Sequence, residues 1–141
     1  MSVEQNKAIV RRVFKEVFVE GNRTAANELY APTYLHHDPS LPPAMQTSRD
    51  VYIQGLDLFH QAFPNFVMTC EILVAEGDKV AALWIFEGIN KGEFMGIAPT
   101  GRAVKINGSA IYRLENDRLV EGWNVYDALG MLQQLGVAPT L

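Results

Sequence analysis

The chain has 141 residues, 48% of them hydrophobic, and its sixteen Asp and Glu outnumber twelve Lys and Arg for a formal net charge of -4. That length suits a single domain over residues 1–141, burying roughly two thirds of the surface of its unfolded chain, so a core can form without disulfides or a structural metal. The negative balance argues against nucleic-acid and anionic-membrane partners, and the longest apolar run, residues 80–86, is too short to span a bilayer. A single cysteine, Cys70, and an N-terminus with Glu4, Lys7 and no hydrophobic signal region point to a reducing, cytoplasmic setting.

Residues 2–20 read as an amphipathic helix, with Ile9, Val10, Val13, Phe14, Val17 and Phe18 on one stripe. Ser2 and Gln5 fit a capping box, and Gly21 suits the left-handed closure. A short helix over 24–30 is stopped by Pro32. Residues 37–43 hold three prolines and are expected to be irregular. Ser48 caps a third helix, striped by Tyr52, Leu56, Phe59 and Phe63, and Pro64 ends it.

Beyond Pro64 the period becomes alternating, with Phe66, Met68, Cys70, Ile72 and Val74 on one strand face. Gly77-Asp78 turns the chain into a strand over 80–88, apolar on both faces, which implies helices on one side and a further layer, such as another subunit, on the other. Strands over 104–114 and 119–126 follow, and a short helix runs from Asp127 to near Gly136. Helices followed by an antiparallel meander give an α+β fold with helices on one side of a curved sheet.

The stretch Gly92-Glu93-Phe94-Met95-Gly96-Ile97-Ala98-Pro99-Thr100-Gly101 resembles the SnoaL-like polyketide cyclases, or ester cyclases, of the nuclear transport factor 2-like superfamily. So do Ile111-Tyr112-Arg113-Leu114-Glu115, Val120-Glu121-Gly122-Trp123 and Gln133-Gln134-Leu135-Gly136. Leu35-His36-His37-Asp38-Pro39 and Ala62-Phe63-Pro64-Asn65 fit the same pattern. The resemblance implies a cone of curved antiparallel sheet, with three N-terminal helices enclosing a pocket and a short C-terminal helix. It also implies His-Trp-Asp on the strand around Trp123, the Asp serving as general acid/base and the His assisting. Here those positions read Gly122, Trp123 and Asn124. An amide cannot accept a substrate proton, so Asn124 can only orient a ligand or donate to its oxygen.

In the last hairpin, a three-residue loop with Asp117 left-handed pairs Leu114 with Arg118 and Tyr112 with Val120. A two-residue loop instead sets Tyr112 opposite Glu121. The first is preferred because it puts the charges on one face. Tyr112, Asn124 and Tyr126 then line the pocket, and Trp123 lies outside.

His36 and His37 alternate to opposite sides, and the family position favours His37 as the inward acid/base. A histidine held by loop backbone is the competing reading. A metal site from His36, His37 and Asp38 is disfavoured because adjacent side chains diverge. Asp38 reads as a turn-stabilising residue, or as a base if buried, and Asp127 as a helix cap. Cys70 reads as buried packing. Trp84 and Phe86, beside Ala82 and Gly88, suit a flat apolar ligand.

The expected function is a cyclase- or isomerase-type enzyme working without cofactor or metal on an apolar carbonyl- or epoxide-bearing molecule. His37 and Asn124 would be its catalytic residues, with Phe14, Trp84, Phe86, Tyr112 and Tyr126 binding substrate. The alternatives are a small-molecule binding module that has lost the family acid/base pair, and an epoxide hydrolase or isomerase using Asp38 or Asp127. A homodimer through the outer sheet face around Trp123, Ile111 and Val125 is expected.

Overall fold

The computed structural model describes residues 2–41, 43 and 48–140; of the three prolines in 37–43, Pro42 lies outside them. Helix α1, Val3–Arg12, opens with the Ser2–Gln5 capping box and continues as wider π-helical turns over Val13–Val19. Its stripe buries Val10, Val13, Phe14, Val17 and Phe18, and Gly21 closes it at φ +65°. Asn22 caps α2, Arg23–Leu29, and Ser48 caps α3, Arg49–Ala62. At the other end of the chain Asp127 caps α4, Ala128–Gln134, by accepting from Gly130 N at 2.8 Å.

Five strands form one sheet in the order β1-β5-β4-β3-β2: β1 Tyr30–His37, β2 Val67–Glu76, β3 Lys79–Ile89, β4 Ala103–Glu115 and β5 Arg118–Tyr126. The fold is α+β as expected, but the sheet is mixed, because β1 runs parallel to β5. That strand overturns the expected helix end at Tyr30 and stop at Pro32. Leu29 passes into extended Tyr30 with no loop, and Pro32 sits where the β1 register is irregular, so its missing N–H costs no regular ladder bond.

Two bulges correct the sequence reading. Glu71 is an extra residue in β2, since Cys70 pairs with Trp84 but Ile72 with Leu83. The faces swap there: Leu73 and Ala75 turn inward, and Ile72 and Val74 are 55% and 56% exposed instead of lining the core. Cys70 is half-buried. In the last hairpin Asn116 and Asp117 both take positive φ, making a two-residue turn that pairs Glu115 with Arg118. Val120 then bulges, and Tyr112 pairs with Gly122 and Ala110 with Asn124. Neither expected register holds. Tyr112 nevertheless shares a face with Asn124 and Tyr126, because the net slip is two residues and an even slip preserves facing.

The core lies between the concave sheet face and the helices. Phe59, Phe63, Phe66, Phe86 and Phe94 pack there with ring centroids 5.0 to 6.1 Å apart. Phe94 is delivered by the β3–β4 connection, which buried Asn90 organises. Asn90 Nδ2 donates to Ala62 O and Gly92 O, while its Oδ1 accepts from Thr100 N and Oγ1. The outer sheet face leaves Ile72, Val74, Ile111 and Val125 exposed. Among the described residues, no helix is long and apolar enough to cross a membrane.

Asn90→Ala strands buried partners at both ends of that connection. It is expected to lower the unfolding free energy by about 2–3 kcal/mol. Urea midpoints check this; an unchanged midpoint would mean the clamp contributes nothing.

Candidate functional site

Parallel pairing aligns Leu35 with Glu121, His36 with Gly122 and His37 with Trp123. Alternation then sends Tyr34, His36 and Asp38 to the concave face, where they are 0%, 2% and 4% exposed. His37 goes the other way. Its Nε2 lies 2.7 Å from Glu121 Oε2, Arg113 donates to the other carboxylate oxygen, Oε1, and the His37 ring stacks on Trp123 with centroids 5.3 Å apart. The expectation that His37 faces inward is overturned: residues 30–37 form a strand paired with β5, and its alternation turns His36, not His37, to the concave face.

His36 Nδ1 lies 2.9 Å from the Tyr34 hydroxyl, and its ring lies 4.2 Å from that of Tyr52. Burial pushes its pKa down to about 4; Asp38 opposes that shift and His37 adds to it. The imidazole is therefore neutral at neutral pH. Burial also raises the Tyr34 phenol well above its ordinary value, so it stays protonated. Gly122 makes this arrangement possible, because a Cβ there would run into Tyr34 Oη and crowd Tyr112.

Two residues along, Asp38 joins a hydrogen-bonded chain across the sheet. Trp84 Nε1 donates to Asn124 Oδ1 at 3.2 Å, and Asn124 Nδ2 donates to Asp38 Oδ2 at 3.0 Å. Ser40 donates to Asp38 Oδ1 from its backbone N at 2.9 Å and its hydroxyl at 2.6 Å. The indole lies against Gly108, where a Cβ would run into the ring, and Tyr126 flanks it at 6.3 Å. Burial raises the Tyr126 phenol, against a hydrogen bond with Ser40, and the charge of Asp38 raises it further.

Of the residues singled out from sequence, Asn124, Trp84 and Tyr126 come together, with Tyr112 buried beneath beside Gly122. Phe14 packs edge-on against Phe18, and Phe86 belongs to the phenylalanine cluster, so both serve the core. Sequence reasoning weighed His36 and Asp38 but passed over Tyr34 and Ser40. For Tyr34 the signal was there as alternation with His36, once 30–37 is read as a strand, and for Ser40 as its place two residues after an Asp in a turn, where its N–H reaches the carboxylate. Among the described residues, no three His, Cys, Asp or Glu side chains gather where they could hold a metal ion. An open groove of about 450 Å³ lies elsewhere, between α1, α2 and the β4–β5 turn, and its Arg12 is already engaged by Glu16 and Glu28. The chemistry-bearing groups are a carboxylate, a neutral imidazole, an amide and phenols against an aromatic wall. Such a set can take a proton from an acidic carbon and hold a carbonyl oxygen with neutral donors.

The unfolded chain binds a proton on His36 near pH 6.5, the folded chain only near pH 4. Between those values the unfolded state holds more protons, so stability falls as pH drops from 6.5 to 4, by up to about 3 kcal/mol. His36→Gln is expected to flatten that part of the slope in urea unfolding at pH 7.5 and pH 4. Equal slopes for both proteins would contradict it.

The family model described as SnoaL-like polyketide cyclase matches residues 8–135. The fold is similar to that of IdmH from Streptomyces antibioticus, a candidate polyketide cyclase: 30% identity, TM-score 0.83, covering 94% of this chain and 99% of that one. A candidate polyketide cyclase from Acidithiobacillus ferrooxidans is also 30% identical, with TM-score 0.84 and coverage of 99% and 100%. AclR from Streptomyces galilaeus, a candidate hydroxylase, shares the fold at 23% identity and TM-score 0.86, covering 99% of this chain and 90% of that one. No curated protein matches the chain. With the family model spanning most of the sequence and this fold beneath it, the chain belongs to the SnoaL-like polyketide cyclase family.

Proposed function

We propose that the chain is a cofactor-independent enzyme of the cyclase or isomerase type, acting on an apolar, carbonyl-bearing small molecule of polyketide character. One observation carries the reading. The His and Asp that the family resemblance expects on β5 are replaced by Gly122 and Asn124, while His36 on β1 pairs with Gly122 and Asp38, just past the end of β1, is hydrogen-bonded to Asn124. In this reading Asp38 accepts the proton from the carbon next to the carbonyl. Asn124 and Ser40 hold its carboxylate in place, and His36 stabilises the oxygen that gains charge. Trp84 and Tyr126 contact the apolar body of the ligand. His37 has no part in the chemistry, because its ring is engaged on the opposite face.

Turnover on a panel of polyketide esters, enolisable ketones and epoxides tests this. Asp38→Asn is expected to lower kcat by about 10²-fold or more, the usual scale of general acid–base catalysis, while His37→Ala leaves it within about twofold. Loss of turnover in His37→Ala with retention in Asp38→Asn would reverse the assignment. A wild-type protein that binds panel members without turning them over would make it a binding module.

A second copy of this chain is the proposed partner for the outer sheet face. Exposed Ile72, Val74, Ile111 and Val125 lie there between charges of both signs, Arg113 and Glu121 on one side and Lys105 and Glu87 on the other. A two-fold contact sets each patch against its own copy, so mixed charges suit it. Light scattering after size exclusion is expected to give a dimer at micromolar concentration, and a monomer for Ile111→Glu. A monomeric wild type would overturn this.

A further inference from the structure

We propose that Tyr34 is a positioning residue that locks His36 in the Nε2–H tautomer, and that Gly122 is the vacancy that admits its hydroxyl, so that His36 meets a bound ligand as a neutral hydrogen-bond donor to oxygen and not as a base. The proposal deepens the reading of His36 given above and rests on it for its relevance to turnover.

Three observations converge. Tyr34 is fully buried with its hydroxyl 2.9 Å from His36 Nδ1, and its hydroxyl occupies the space a side chain at position 122 would need. His36 is the rung partner of Gly122, so the phenol, the imidazole and the glycine fill one volume. The direction of the hydrogen bond follows from ordinary acidity. A phenol O–H is a stronger donor than a neutral imidazole N–H, and an imidazole nitrogen is a stronger acceptor than a phenol oxygen. The phenol therefore donates to Nδ1, and the ring proton resides on Nε2. The hydrogen bond to Tyr34 engages Nδ1, which leaves Nε2 as the ring nitrogen to meet a ligand. The residue at 122 and the residue at 34 are then mutually exclusive. A histidine on β5 and a tyrosine hydroxyl from β1 cannot both stand here.

The test needs no substrate. Long-range ¹H–¹⁵N correlation of the wild-type protein at pH 7, with His36 assigned by its loss in His36→Gln, is expected to show a protonated Nε2 and an unprotonated Nδ1. Tyr34→Phe is expected to release the lock, giving exchange-averaged shifts at both nitrogens. Gly122→Ala should reproduce that spectrum by displacing the hydroxyl. Gly122→Ala should also lower the urea midpoint less in the Tyr34→Phe background than alone. A wild-type Nδ1–H tautomer, or an Nε2–H form unaltered in Tyr34→Phe, overturns the proposal. Either result is independent of the turnover measurements: an Asp38→Asn protein with full kcat would sink the functional reading and leave the tautomer assignment standing.

Discussion

The hydrogen-bonded pairing of β1 with β5 sets which side chains meet on the concave face, and the site depends on it. It joins residues about 85 positions apart in sequence, so its closure entropy is offset only by what it buries. Tyr30, Tyr34, Tyr112 and Leu119 are all sealed beneath it. Tyr30 and Tyr34 meet edge to face at 4.7 Å, and α3 brings Tyr52 against both. That aromatic floor excludes water from under His36. Without the parallel pairing, His36 and Asp38 would belong to a proline-rich loop with no fixed relation to Asn124.

Burial and polarity are balanced differently at the end of β1 and just beyond it. His36 sits among phenols, which leaves it neutral; Asp38 lies two residues further on, among an amide, a hydroxyl and a backbone N–H that can satisfy a carboxylate. The end of β1 and the residue that follows it thus offer a donor and an acceptor of unlike character two residues apart. On the reverse of the sheet, His37 lies against Glu121, which Arg113 also engages.

What could be read in the sequence was what depends on neighbours along the chain. The Ser2–Gln5 box, the Ser48 and Asp127 caps, the stripe from Val10 to Phe18 and the turn at Gly77 are all local, and each stands where expected. The bulges at Glu71 and Val120 depend on the opposing strand, which no spacing in one strand reports. At Glu71 the bulge inverted the expected faces of Ile72 and Val74. At Val120 it moved the register by two and left Tyr112, Asn124 and Tyr126 on their expected side. The inward histidine was misread because the choice of His37 rested on the family position, whereas the side each histidine takes is set by the pairing of β1 with β5, a strand that Pro32 disguised as a helix stop.

A rung between parallel strands gives one point in space two addresses in the sequence. A functional group at His36 and one at position 122 lie at the same depth on the same face, and only one of them can be occupied while Tyr34 keeps its hydroxyl there. Reading Gly122-Trp123-Asn124 along β5 alone therefore misses that a histidine, His36, stands on the neighbouring strand at the rung of Gly122. In a sheet of this kind, the unit that carries a chemical motif is the rung and not the strand.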